Sequence, residues 1–199
     1  MTKIDRSSIV YESMDFSVHR YHAMIQAGVL SADDKVELLD GKIVPMSPVG
    51  RLHAACVLGL SEIFSARFLG KYTLKSQDPI TIVPLSEPEP DYIIARYDVD
   101  RYTAGHPQPE DIHLLIEVSD STLDKDRNYK LRLYAASSIP EYWIINLVDR
   151  QFEVYTQPDG VSSYLDQLIY REGERFQHNL LGEIDTVEFL PRIKILRRD

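Results

Sequence analysis

Hydrophobic and polar positions along the chain switch between two periods, and the switches mark its elements. Residues 17–27 predict a helix, with Ser17 as N-cap and Gly28 as its stop. Residues 35–46 predict two short strands around the turn Asp40-Gly41, a strong hairpin signal. From 50 to 69, Val57, Leu60, Phe64 and Phe68 recur every three or four residues and mark an amphipathic helix. Strand-like runs follow at 72–76, 80–83 and 92–95. Residues 96–111, with Gly105, Pro107 and Pro109, read as a loop. Strand, helix and strand then come in quick succession at 112–118, 123–137 and 141–147. Beyond Asp149, the runs 152–156, 163–169 and 173–176, with the turn Pro158-Asp159-Gly160, predict antiparallel strands toward the C-terminus. No repeat or low-complexity tract interrupts the pattern. The class is α/β to α+β: a sheet flanked by helices, with extra hairpins.

Composition narrows the class. At 199 residues, 44% hydrophobic and 27% charged, the chain fits one domain over 1–199 with a real core and a loose segment at 1–14. Its apolar stretches fall well short of the roughly 20 residues that span a bilayer, and no secretory signal opens it, so a cytoplasmic protein without membrane contact is expected. A lone cysteine, Cys56, excludes an intramolecular disulfide and a thiolate zinc cluster; its apolar neighbours make it a small buried hydrophobe. The formal charge of −9 argues against an open nucleic-acid platform, because such affinity rests on phosphate neutralisation. It leaves room for a nuclease. Glu87, Glu89 and Asp91 form an acidic edge, whereas Lys125, Arg127, Lys130 and Arg132 gather on one helix and Arg192, Lys194, Arg197 and Arg198 end the chain. Gly-x-Ser-x-Gly, Walker, Gly-x-Gly-x-x-Gly and His-Glu-x-x-His motifs are absent.

Three polar residues stand where the local pattern calls for apolar ones. Asp91 opens the run Pro90–Ala95, Glu117 closes Leu114–Val118, and Lys130 falls on the apolar face of the following helix. An isolated charge in such a place costs several kcal/mol unless it is paired or binds a metal. Lys130 lies about 20° from Leu123 and about 40° from Tyr134 on a wheel of 100° per residue, while Asp124, Lys125, Asn128 and Arg132 face away. Seven residues into that helix it is roughly 10 Å back along the strand, and Glu117 is roughly 3–7 Å back, so the lysine stem can close the gap. Two carboxylates suffice for Mg²⁺ or Mn²⁺, which keep waters and take phosphate oxygens, and a nearby ammonium can orient a water. An ordinary ion pair between a strand-end carboxylate and a snorkelling lysine explains the same spacing.

The segments Val36–Gly41, Glu89–Ile93, Leu115–Thr122, Asp126–Leu131 and Ile139–Ile144 resemble the successive blocks of the Uma2 family, also catalogued as a domain of unknown function. That family belongs to the PD-(D/E)XK, or restriction-endonuclease-like, superfamily. The resemblance covers roughly residues 15–175 and keeps the order and spacing of the five blocks. It implies a central mixed sheet flanked by helices, with metal carboxylates at Asp91 and Glu117 and the first acidic residue at Glu37. The common superfamily lysine two residues after the glutamate is Ser119 here; the family's solution is a lysine on the adjacent helix, matching Lys130. The catalytic set is then Glu37, Asp91, Glu117 and Lys130, and the implied reaction is Mg²⁺- or Mn²⁺-dependent cleavage of DNA, with RNA also open. By analogy with restriction enzymes, a homodimer could cut both strands. A module that keeps the fold without catalysis, binding nucleic acid or protein, is the alternative.

Weaker candidates surround this set. Glu37 by itself could be a solvent-facing strand residue, and His53 could touch phosphate or simply lie on the surface of a helix start. Gln77 could support the site. Lys125 and Arg127 could contact phosphates, although a solvated helix face explains Lys125 equally. Tyr142 and Trp143 read as core or interface.

Overall fold

The computed structural model describes residues 14–31 and 33–192. The expected loose start lies outside them except for Met14, as do Lys194, Arg197 and Arg198. Helix α1 (Val18–Gln26) begins at Ser17, whose hydroxyl accepts from Arg20 N at 3.3 Å and satisfies one of the free amides of the first turn. Strands β1 (Val36–Leu39) and β2 (Lys42–Pro45) form the expected hairpin. Its turn residues Asp40 and Gly41 have φ of 43° and 74°, the doubly positive pair that a type I′ turn demands. Helix α2 (Arg51–Phe68) follows, with Gly50 as its N-cap.

Six strands make the main sheet: β3 (Thr73–Ser76), β4 (Tyr92–Ala95), β5 (Ile112–Ser119), β6 (Glu141–Asn146), β7 (Gln151–Pro158) and β8 (Tyr164–Arg171), in that spatial order. All neighbours are antiparallel except β5 and β6. That parallel pair needs a crossover, and the helix between them supplies it. Side chains alternate across a strand, so each face of the sheet receives its own cover. Tyr92, Ile94, Leu114, Ile116, Trp143 and Ile145 point to Cys56, Leu60 and Phe64 of α2. Ile93, Leu115, Tyr142 and Ile144 point the other way, to Leu133, Tyr134 and Ala135 of the crossover. Asp91 and Glu117 share the odd parity of Ile93 and Leu115, which turns both toward the crossover.

The crossover is three pieces rather than one regular helix: α3 (Leu123–Lys125), a π segment (Asp126–Lys130) and α4 (Leu131–Ala136). Leu131 N donates to Asp126 O, five residues back. This wider turn corrects the expected orientation of Lys125. Residues five apart are about 140° apart on an α-helical wheel, but i→i+5 bonding brings them one above the other. Lys125 therefore faces the same way as Lys130.

Two further expectations change. Residues 80–83 make a loop instead of a strand, closed by the bridge Ile82↔Ser86. Pro79 and Pro84 flank the run and cannot donate to a ladder, although Ile80 and Ile82 are still buried. The last expected strand shifts to β9 (Arg175–His178), because Gly173, at φ 90°, belongs to the preceding turn. It pairs with β10 (Gly182–Asp185), and α5 (Thr186–Phe189) follows; neither was expected. This C-terminal unit caps the α2 face. Phe176 stacks on Tyr170 with ring centroids 4.0 Å apart, and Phe189 meets Phe64 at 5.5 Å. Cys56 is core, as expected, and so are Tyr142 and Trp143, which settles the choice between core and interface for these two. Burial pushes the Cys56 thiol up to about 12, far from a reactive thiolate. No helix among the described residues is long and apolar enough to cross a membrane.

Candidate active site

Glu37, Asp91, Glu117 and Lys130 come from four separate stretches of the chain and line one narrow cleft of about 60 Å³, together with His53, Gln77, Glu89, Asp120, Lys125 and Asp126. One water needs only about 10–15 Å³ of such space. Each position has a local cause. Glu37 sits inside the hairpin, and that hairpin is clasped to the 86–87 segment by Leu38 N to Glu87 O (3.3 Å) and Glu87 N to Leu38 O (2.7 Å). Asp91 stands just before β4, where its carbonyl accepts from Gln77 N at 3.1 Å. Glu117 lies near the C-terminal end of β5, in register with Ile144. Lys130 ends the π segment.

Lys130 is 3% exposed and donates to Glu117 Oε1 at 2.8 Å, with Glu37 Oε2 also within 3.4 Å. Lys125 donates to Glu37 Oε1 at 2.8 Å, and Glu89 N donates to Glu37 Oε2 at 3.3 Å. Glu117 Oε1 also accepts from Tyr134 OH at 2.9 Å. On Asp91, Oδ2 accepts from Val118 N at 2.8 Å and lies 3.0 Å from His53 Nε2. Ser119, at the common superfamily lysine position, donates to Asp126 Oδ2 at 2.7 Å, and Thr122 does the same.

The charges respond to this enclosure. Burial alone would lower the Lys130 pKa, but Glu117, Glu37 and Asp126 outweigh it and hold the ammonium above its ordinary range. Burial likewise opposes ionisation of Glu37, yet Lys130 and Lys125 win and keep its carboxyl below the ordinary range. Glu117 goes the other way: complete burial raises it, Lys130 opposes, and the like charges of Asp126 and Asp91 add to the rise. Burial would lower His53, but the hydrogen bond to Asp91 and the charges of Asp91, Asp120 and Asp126 raise it. The cleft is thus an electronegative pocket with one protonated lysine at its floor.

Arg127 does not join the cleft. It forks onto Glu153, Nε to Oε2 at 2.9 Å and Nη2 to Oε1 at 2.5 Å, in a separate network with Asn146, Gln151 and Tyr155. Tyr134, Asp126, Asp120 and Glu89 also line or support the cleft but were not among the site candidates read from the sequence, although Glu89 belongs to the acidic edge. The spacing Asp126, Lys130, Tyr134, four residues apart, carried the signal for two of them, since such positions share a helix face.

A divalent cation fits the donor set. Asp91 Oδ1 and Glu117 Oε2 are hard oxygens that receive no hydrogen bond among the described residues, and both side chains border the cleft. No three His, Cys, Asp or Glu side chains converge as a complete cage among the described residues. Two carboxylates with waters and a phosphate oxygen are how Mg²⁺ is commonly held.

The mixed sheet with helices on both faces is a restriction-endonuclease-like fold. It is similar to the crystal structure of a "putative nuclease belonging to DUF820" from Anabaena variabilis ATCC 29413, with a TM-score of 0.57 over 82% of this chain and 94% of that one, at 12% identity. At that identity the likeness is one of fold. The chain belongs to the Uma2 family, described as "putative restriction endonuclease", which matches residues 18–188. This is the family that the five sequence blocks resemble. No curated protein matches the chain.

Proposed function

We propose that this protein is a Mg²⁺- or Mn²⁺-dependent endonuclease that hydrolyses phosphodiester bonds in DNA, working in the cytoplasm. The observation that carries the reading is the buried Lys130 between Glu117 and Glu37, at the floor of a cleft where Asp91 and Glu117 each keep one unbonded oxygen. Asp91 and Glu117 would hold the ion, which would offset phosphate charge and ease deprotonation of water. The chain's own residues do the rest. An ammonium has three donors; one goes to Glu117 Oε1, Glu37 adds an ion pair at 3.4 Å, and a remaining donor would serve the attacking water or a phosphate oxygen. Glu37 adds a second carboxylate beside Lys130, and Lys125 neutralises Glu37 in turn. Family membership supports a nuclease; DNA over RNA is part of the proposal.

The test is cleavage of supercoiled plasmid with Mg²⁺ or Mn²⁺ by the wild type and by Asp91→Asn and Glu117→Gln. Each variant is expected to lose at least about 10²-fold in rate while staying folded by circular dichroism. Cleavage at wild-type rate in both overturns the reading. The ratio of linear to nicked product reports whether two copies act together on both strands. One observation favours the alternative, a binding module without catalysis: Lys125 and Lys130 are both engaged by carboxylates, as an ion-pair cluster would be. Under it, nucleic acid or protein binding persists in EDTA and no cleavage occurs.

A further inference from the structure

We propose that Tyr134 and His53 are positioning residues that decide which oxygen of each metal carboxylate faces the cation. The proposal rests on the metal-dependent reading above and deepens it. On Glu117 both side-chain donors, Lys130 Nζ at 2.8 Å and Tyr134 OH at 2.9 Å, converge on Oε1. On Asp91 both partners, Val118 N at 2.8 Å and His53 Nε2 at 3.0 Å, converge on Oδ2. The opposite oxygens, Glu117 Oε2 and Asp91 Oδ1, receive nothing among the described residues. They are not sealed in either. His53 Nδ1 is the only fully buried side-chain nitrogen or oxygen without a partner among the described residues, so the two bare oxygens must reach open space. The open space that both side chains border is the cleft.

Tyr134 is suited to this work in a way that Lys130 is not. Its side chain is fully buried and its ring meets Tyr142 edge-on, with centroids 5.1 Å apart at 69°, so the direction of its hydroxyl is set by packing. Lys130 ends a flexible stem and is shared with Glu37. His53 stands in the first turn of α2 and reaches Asp91 from outside the sheet. A hydrogen bond to the non-ligating atom of a metal ligand fixes its orientation, and losing it costs about 10–100-fold in metal affinity.

The experiment is calorimetric titration of Mn²⁺ into the wild type, Tyr134→Phe, His53→Ala and His53→Gln, with the metal-free melting curve of each recorded alongside. Tyr134→Phe keeps the ring and removes only the hydroxyl. His53→Gln keeps an N–H donor near the Nε2 position. Tyr134→Phe and His53→Ala are each expected to weaken Mn²⁺ binding about 10–100-fold, and His53→Gln to recover most of the loss. Wild-type affinity in Tyr134→Phe and His53→Ala overturns this proposal and leaves the nuclease reading standing. So does a loss in His53→Gln equal to that in His53→Ala, since packing alone would explain it. A wild type that takes up no Mn²⁺ overturns both.

Discussion

Lys130 shows at the scale of one residue how a buried charge is tolerated. Its ammonium is balanced by two carboxylates that are themselves almost inaccessible to water. Removing the ammonium leaves Glu117 without a cationic partner, while Glu37 keeps Lys125, so Lys130→Met is expected to lower unfolding free energy by about 3–5 kcal/mol in urea titration. Glu37 adds a pH signature. Its folded pKa lies below its ordinary 4.5. A depressed carboxyl contributes stability above the unfolded value and loses it as pH falls through the folded one. Wild type and Glu37→Gln should therefore differ most at pH values above the ordinary 4.5 and converge as pH falls through the depressed folded value; a gap that widens on acidification would contradict this assignment. Asp91, Glu117 and Lys130 were legible because each charge interrupts an apolar run. His53 was only a weak candidate, since its contact with Asp91 joins residues 38 apart, which no local pattern reveals.

Elements set the site's geometry through two backbone devices. The first is the turn of the β1–β2 hairpin, whose first strand carries Glu37. A Cβ on Gly41 would lie 2.5 Å from Asp15 Cβ, at a φ of 74° that side chains avoid. Gly41→Ala is expected to cost more than about 1 kcal/mol and to lower the thermal midpoint; an unchanged melt would show that the hairpin does not need this turn. The second device is the π segment, which brings Lys125 and Lys130 to the same carboxylate. The helices, the hairpin and most of the central strands follow from periodicity and turn residues, so they were readable. The π segment was not, because its inward-facing residues also fit an α-helical wheel. β10 and α5 were missed for another reason: short elements of four residues each give too few repeats for a period to show.

The whole molecule is acidic, with a formal charge of −9, and several of its cations are already spent. Lys125 and Lys130 pair with Glu37 and Glu117, and Arg127 with Glu153. Under the proposed function, phosphate neutralisation falls heavily on the divalent cation. Affinity for DNA, read by fluorescence anisotropy, is expected to be undetectable in EDTA at physiological salt and to appear with a divalent cation. Tight binding in EDTA would instead favour the non-catalytic module. The measurement that bears most directly on the central claim is titration of Mn²⁺ into the wild type and Asp91→Ala, with plasmid cleavage assayed on the same samples. Metal uptake and cleavage by the wild type, both lost in the variant, are the predicted result. No metal uptake by the wild type, or cleavage undiminished in Asp91→Ala, would contradict the account.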